Sequence, residues 1–235
     1  MIIQILSNLF EEGYLERDKY SVLSAFFAGA NVAFRRKALN DTGLYDTNCR
    51  SGEDQDMTLR VAGAGWELYF EPKAIIRHKN KMTTRGFVRK WFNYGYHHPY
   101  IFRKHSSRGF HVYHVGATNS QRESGSPLYR RLIGIRLPLT INIFITTFLF
   151  IHIFLVVAIV LAVLGLFIPA AIVGALLLAL SAAYFKVDFG RRKLSQSLAF
   201  MYYRYIANAA LLLGGFLGGI KAGMLYISPT FDFSK

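Results

Sequence analysis

Apolar positions change their spacing several times along the chain. Residues 2–12 place Ile2, Ile3, Ile5, Leu6, Leu9 and Phe10 at helical intervals, and Gly13 ends that helix. Residues 24–34 read as a strand, a Gly29-Ala30-Asn31 turn and a second strand. Residues 36–40 predict a short helical turn stopped by Gly43. Residues 53–62 predict a helix with Met57, Leu59, Val61 and Ala62 as its apolar contacts, closed by Gly63 and Gly65. Short strands follow at 66–70 and 74–76, split by Pro72. An amphipathic helix then runs from Thr83 to about Tyr96 with Phe87, Val88, Trp91, Phe92 and Tyr94. Residues 105–125 are polar and predict an irregular loop.

Beyond Leu137 alternation gives way to continuous hydrophobicity. Residues 139–167 are apolar except for Asn142 and His152, long enough to span a bilayer with some tilt. Pro169 marks a turn, and 170–185 predicts a second, shorter span. Residues 198–227 predict a third, spanning or interfacial, with Arg204 and Lys221 near its ends. Its Gly214, Gly215, Gly218, Gly219 and Gly223 have the small-residue spacing that lets helices approach closely. The expected organisation is a soluble domain over 1–104, a basic juxtamembrane linker over 105–136, about three transmembrane helices over 137–228, and a tail at 229–235.

Composition sharpens this picture. Hydrophobic residues make up 52% of the 235, and their excess lies in the second half. The formal charge of +14 is concentrated between Arg77 and Arg136, where Glu123 is the only acid. Basic residues beside spans face the cytosol and anionic lipid, so the soluble part is expected to be cytosolic in a multi-pass plasma-membrane protein. Arg130, Arg131 and Arg136 read as a topogenic, lipid-facing cluster. Nucleic acid is not expected as a partner, since no recognition motif accompanies the charge. Cys49 is the only cysteine, which rules out a disulfide framework.

Three blocks carry candidate chemistry. The first is the stretch around Gly29-Ala30-Asn31. The second is Gly43-Leu44-Tyr45-Asp46 followed by Gly52-Glu53-Asp54-Gln55-Asp56. The third runs from Gly65-Trp66 to Arg77-His78. Acids in a first helical turn complement the helix dipole whatever else they do. A turn containing Gly29 and Asn31 is a plain hairpin or a place where backbone approaches a ligand. His97, His98, His105, His111 and His114 match no zinc spacing.

In this order and spacing, the blocks resemble the C-terminal, acceptor-side half of the inverting GT-A glycosyltransferases of family 2, which includes cellulose and hyaluronan synthases. The resemblance covers about residues 1–100 and implies an α/β fold: a partial GT-A domain followed by α-helical membrane segments. It implies Asp54 as the base that deprotonates an acceptor hydroxyl, with Glu53 in support. It places Gly29 and Asn31 beneath the acceptor. It implies His78 as a ligand to a divalent metal, Mg or Mn, that bridges the donor diphosphate. Val88-Arg89-Lys90-Trp91 partly matches the family's Gln-x-x-Arg-Trp motif but has no matching Gln. Arg89 would reach a diphosphate and Trp91 would line the acceptor channel, or the helix is simply a membrane-surface helix.

The implied partners are a nucleotide-sugar donor, a lipid-linked or glycan acceptor, and membrane lipids. The Asp-x-Asp-like strand of the donor half has no counterpart in these 235 residues. The isolated chain is therefore expected to be inactive, with a separate donor-binding subunit or a longer polypeptide supplying that half. Two rival readings are a non-catalytic subunit or remnant, and a small membrane protein whose basic segment binds anionic lipid.

Overall fold

The computed structural model describes residues 13–14, 29–70, 74, 83–115, 129–186 and 194–228. The predicted helix over 2–12, the strand before Gly29, most of the strand at 74–76, and His78 lie outside the described residues.

The first half is a small α/β unit. A two-residue strand β1, Gly13–Tyr14, pairs antiparallel with β2, Tyr69–Phe70. Between them lie a 3-10 turn at Gly29–Asn31, helix α1 at Arg36–Thr42 and helix α2 at Glu53–Gly63. Glycine sets these boundaries. Gly43 ends α1 at φ 80°, and Gly52 precedes α2 in the left-handed conformation at φ 82°. Buried Met57, Val61, Leu68 and Ala38 close the core of this unit, with Phe34 and Trp66 packed against them.

Helix α3, Thr84–His105, is longer than the predicted stretch from Thr83 to Tyr96. Thr83 caps its start by accepting from the Gly86 N–H at 3.1 Å. The helix continues through Pro99, which is buried, because Ile101 and Phe102 beyond it are fully buried in the next core.

The predicted irregular loop after His105 is a correction. Strand β3, Phe110–Val115, pairs antiparallel with β4, Tyr129–Ile135, with a register irregularity between Val112 and Tyr113. The apolar run at 139–167 is a second correction, since it is not one span. It opens with β5, Ile141–Ile145, parallel to β3, with side chains alternating between half-buried and buried. Thr146 then caps helix α4, Thr147–Val163, by accepting from the Leu149 N–H at 3.2 Å. Helix α5, Phe167–Lys186, packs against α4 as a hairpin. Residues 198–227 also break in two. Helix α6, Leu194–Lys221, ends at a turn where Gly223 has φ 68°, and β6, Leu225–Ile227, joins β5 in parallel. The sheet order is β4-β3-β5-β6.

Among the described residues, one helix is long and apolar enough to cross a membrane: Phe167–Tyr184, with mean hydropathy 2.1 and almost no burial. The apolar helix Thr147–Val163 is shorter. Helix α6 instead buries a face against α3. There Gly95, Gly214 and Gly218 permit a backbone-to-backbone approach. A methyl at Gly95 would overlap the Leu211 carbonyl oxygen, and methyls at Gly214 and Gly218 would overlap those of Phe92 and Tyr96. The main core lies where α3 and the end of α6 meet the sheet, around Phe102, Tyr113, Phe144, Met224 and Tyr226.

Candidate active site

Gly52 turns the chain into α2 so that Glu53, Asp54 and Asp56 all fall in the first turn. Three acids at a positive helix end are electrostatically favourable there. Their side chains then diverge. Glu53 is exposed, Asp54 is half-buried, and Asp56 is fully buried.

Asp54 faces the Gly29-Ala30-Asn31 turn. Its Oδ2 accepts the Gly29 N–H at 2.9 Å, and its Oδ1 accepts the Gln55 N–H at 2.8 Å. Each carboxylate oxygen keeps a second lone pair for a proton or a hydroxyl. A methyl on Gly29 would lie 3.5 Å from the Asp54 Cβ, so the turn sits directly on the carboxylate. Asn31 is held by its side-chain amide, which donates to the Ala74 carbonyl. Two blocks distant in sequence thus meet at one acid.

Two tyrosines stand within electrostatic reach of this acid pair. Burial raises the pKa of Tyr94, and the charges of Asp54 and Glu53 add to the shift. Tyr45 is raised by the same causes in the same order. Tyr94 lies edge-on to Trp91, with ring centroids 5.6 Å apart, and beneath the Lys90 ammonium at 5.6 Å. Trp91 is itself buried in the α3–α6 seam against Ala207, Ala210 and Leu211. Its ring packs edge-on against Tyr94. Arg89 is exposed on α3 and forms no ion pair among the described residues. In the sequence Tyr94 is one apolar position of an amphipathic helix, and Tyr45 stands only within the Gly43-Leu44-Tyr45-Asp46 block. Tyr94 lies three positions after Trp91, one helical turn on, and that spacing was the available signal.

Asp56 does different work. It accepts from Arg60 Nε at 2.9 Å, Lys104 Nζ at 2.8 Å and His105 Nε2 at 2.8 Å. Burial opposes its ionisation, but the hydrogen bonds from Lys104, His105 and Arg60 outweigh burial and hold its pKa below the usual carboxylate value. Lys104 also bridges to Asp46 Oδ2 at 2.9 Å, where Tyr100 donates at 2.9 Å. The Lys104 hydrogen bond, with those from the Asn48 N–H and Tyr100, depresses the pKa of Asp46. Arg60 donates to the carbonyls of Thr42 and Leu44 at 2.7 and 2.9 Å. This network ties α2 to the last turn of α3 and to the Tyr45-Asp46 loop.

Among the described residues, no three His, Cys, Asp or Glu side chains converge as metal ligands. Asp56 is already occupied by three cationic or donor groups. His78, the ligand that the family resemblance implies, lies outside the described residues.

The geometry is that of a half-buried carboxylate held against a small-residue turn. Comparison with known proteins agrees with glycosyl transfer. A family profile described as glycosyl transferase family group 2 matches residues 16–185. Over 71 residues the chain is 31% identical to the pre-mycofactocin glycosyltransferase of Mycobacterium tuberculosis, covering 30% of this chain and 15% of that protein. Over 95 residues it is 23% identical to the O-antigen chain rhamnosyltransferase RfbN of Salmonella typhimurium, covering 39% of this chain and 30% of that protein. The matched stretches therefore span less than a third of either relative. No solved structure gives a significant match. With most of its length matched by the family profile, the chain belongs to glycosyl transferase family group 2.

Proposed function

We propose that this chain is the acceptor-side part of a membrane-bound, inverting GT-A glycosyltransferase, with Asp54 as its catalytic base. One observation carries the reading: the Gly29 turn and the Asp54 carboxylate are joined directly by a 2.9 Å hydrogen bond. Asp54 takes the proton from an acceptor hydroxyl, and that oxygen attacks the anomeric carbon. The bond from that carbon to the donor diphosphate breaks, and the nucleoside diphosphate leaves. Glu53 adds negative charge beside the base. Gly29 gives the acceptor close access to the backbone, and Tyr94, supported by Trp91, offers an aromatic face to a sugar ring. Arg89 and His78 are proposed to act toward the donor diphosphate, with a divalent metal expected alongside the donor-binding half.

The apolar, exposed α4–α5 hairpin supports membrane attachment. On this reading the hairpin sits in the plasma membrane and the α/β unit faces the cytosol. The donor-binding half is proposed to lie outside these 235 residues, so activity belongs to the assembled enzyme. The experiment is a transfer assay in native membranes, with the anomeric configuration of the product read by NMR. Inversion relative to the donor is expected. Retention overturns the proposal, because a single displacement driven by one base inverts.

A further inference from the structure

The segment 43–52, between α1 and α2, is fastened along its length. Arg60 of α2 holds its start, donating to the Leu44 carbonyl at 2.9 Å. The Asp46 carboxylate is fastened next. Its Oδ2 accepts from Lys104 Nζ and from the Tyr100 hydroxyl, each at 2.9 Å, and its Oδ1 accepts the Asn48 N–H at 2.9 Å. Cys49 is buried in the main core with Ile101 and Phe102 of α3. Gly52 closes the segment against the same helix, since a methyl there would lie 3.3 Å from Ile101 Cγ1.

Tyr45 is the exception within this strap. Both its neighbours, Leu44 and Asp46, are held, yet its own side chain is 43% exposed. Backbone fixed on either side of one exposed ring presents that ring in a defined place. The place adjoins the proposed base. Burial raises the pKa of the Tyr45 hydroxyl, and the charges of Asp54 and Glu53 raise it further.

Lys104 joins the strap to α2. The ammonium that binds Asp46 also binds Asp56 Oδ1 at 2.8 Å, and Asp56 shares a helical turn with Asp54. One cation therefore sets the spacing between the strap that carries Tyr45 and the helix that carries the base. Without it, Asp46 and Asp56 are left as two anions at one site and repel. Asp56 would still be held by Arg60 and His105, so the displacement falls on the strap rather than on α2.

We propose that Tyr45 contacts the acceptor, and that Lys104, by bridging Asp46 and Asp56, is the positioning residue that holds Tyr45 there. This rests on the proposed function and adds an acceptor-side residue to that site.

The test is a double-mutant cycle read as acceptor KM against kcat. The assembled enzyme is purified in detergent, and the acceptor is titrated as a solvent extract of the native membranes at saturating labelled donor. Tyr45→Ala and Lys104→Met should each raise the acceptor KM about tenfold, the scale of one lost aromatic contact, with kcat within about twofold of the parent. The double variant should be no worse than Tyr45→Ala alone, because Lys104 acts through Tyr45. Lys104→Arg keeps a cation between the two carboxylates and should stay within about threefold of the parent. Tyr100→Phe removes one hydrogen bond from Asp46 and no charge, so it should raise KM alone by a smaller factor, and it keeps the strap testable should Lys104→Met unfold. An unchanged KM in Tyr45→Ala overturns the acceptor contact. Effects that multiply in the double variant, a loss confined to kcat in Lys104→Met, or a parent-like KM in Tyr100→Phe overturn the positioning role. An Asp54→Asn enzyme that keeps its kcat would defeat the base assignment and leave the cycle, which is read on KM, intact.

Discussion

The Gly29 N–H donates to Asp54 Oδ2 at 2.9 Å, joining residues 25 apart in sequence. The bond uses backbone alone on the turn side, and Gly29 does not have a positive φ. A methyl there would make ordinary contacts at 3.5 and 3.8 Å with Asp54. Gly29→Ala should therefore keep the melting temperature within about 2 °C of the parent, since exposed substitutions of this kind cost little. The methyl borders the carboxylate, so the expected effect is a raised acceptor KM, read from initial rates of the assembled enzyme.

Asp56 is the anchor of the α2–α3 junction. Asp56→Asn removes the charge that Lys104, His105 and Arg60 share. The expected loss is about 3 kcal/mol, at the low end for a broken buried pair because Lys104 and Arg60 keep some access to water. Its folded pKa is lowered, so its stabilisation is complete above the usual carboxylate range and is lost as pH falls through the folded value. The gap in melting temperature between parent and variant should be wide at pH 7 and narrow toward pH 3.

The α3–α6 seam is set by glycine. Gly95→Ala and Gly218→Ala place a methyl onto backbone carbonyls and should each destabilise by about 1–3 kcal/mol or more, the cost of overpacking. Gly174 in α5 has nothing within 4 Å of such a methyl. Gly174→Ala should be neutral or stabilising by up to about 1 kcal/mol. Thermal unfolding in detergent separates the two classes.

His98 lies among the rings of Phe102 and Tyr226 and shares a 2.6 Å hydrogen bond with the Tyr226 hydroxyl. Burial lowers its pKa from the usual 6.5 to about 4. Between those values the unfolded chain binds more protons than the folded one, so stability falls as pH drops through that window. The loss amounts to roughly 3 kcal/mol when complete. His98→Gln should flatten the decline in melting temperature between pH 7 and pH 5, and an unchanged slope would remove His98 as its source.

Local punctuation was legible in the sequence where glycine forces the backbone. Gly43 and Gly63 bound the helices at 36–42 and 53–63 much as their spacing implies. The small-residue spacing at Gly214 and Gly218 announced a close helix contact, but not its partner, Gly95 of α3. Residues 141–145 read as part of a long span because a short apolar run in a buried strand has the same hydrophobicity as a helix. The β3–β4 pairing was hidden because its partners, such as Phe110 and Ile135, are joined only by tertiary contact. At the site, Asp54 and the Gly29 turn stood out as motif blocks. The engagement of Asp56 by Lys104 and His105 did not, because α3 first had to continue through Pro99 to bring them there.

The central claim is that Asp54 is the base, and its most direct test is the turnover of Asp54→Asn in the assembled enzyme. Asparagine preserves size and can still accept the Gly29 N–H, but it cannot take a proton. The expected result is a fall in kcat of about 10²–10⁴-fold, the usual contribution of a positioned base, with the melting temperature unchanged. Asp41→Asn, in α1 and outside the site, should leave kcat as it was. A variant at Asp54 that turns over within a few-fold of the parent would contradict the assignment.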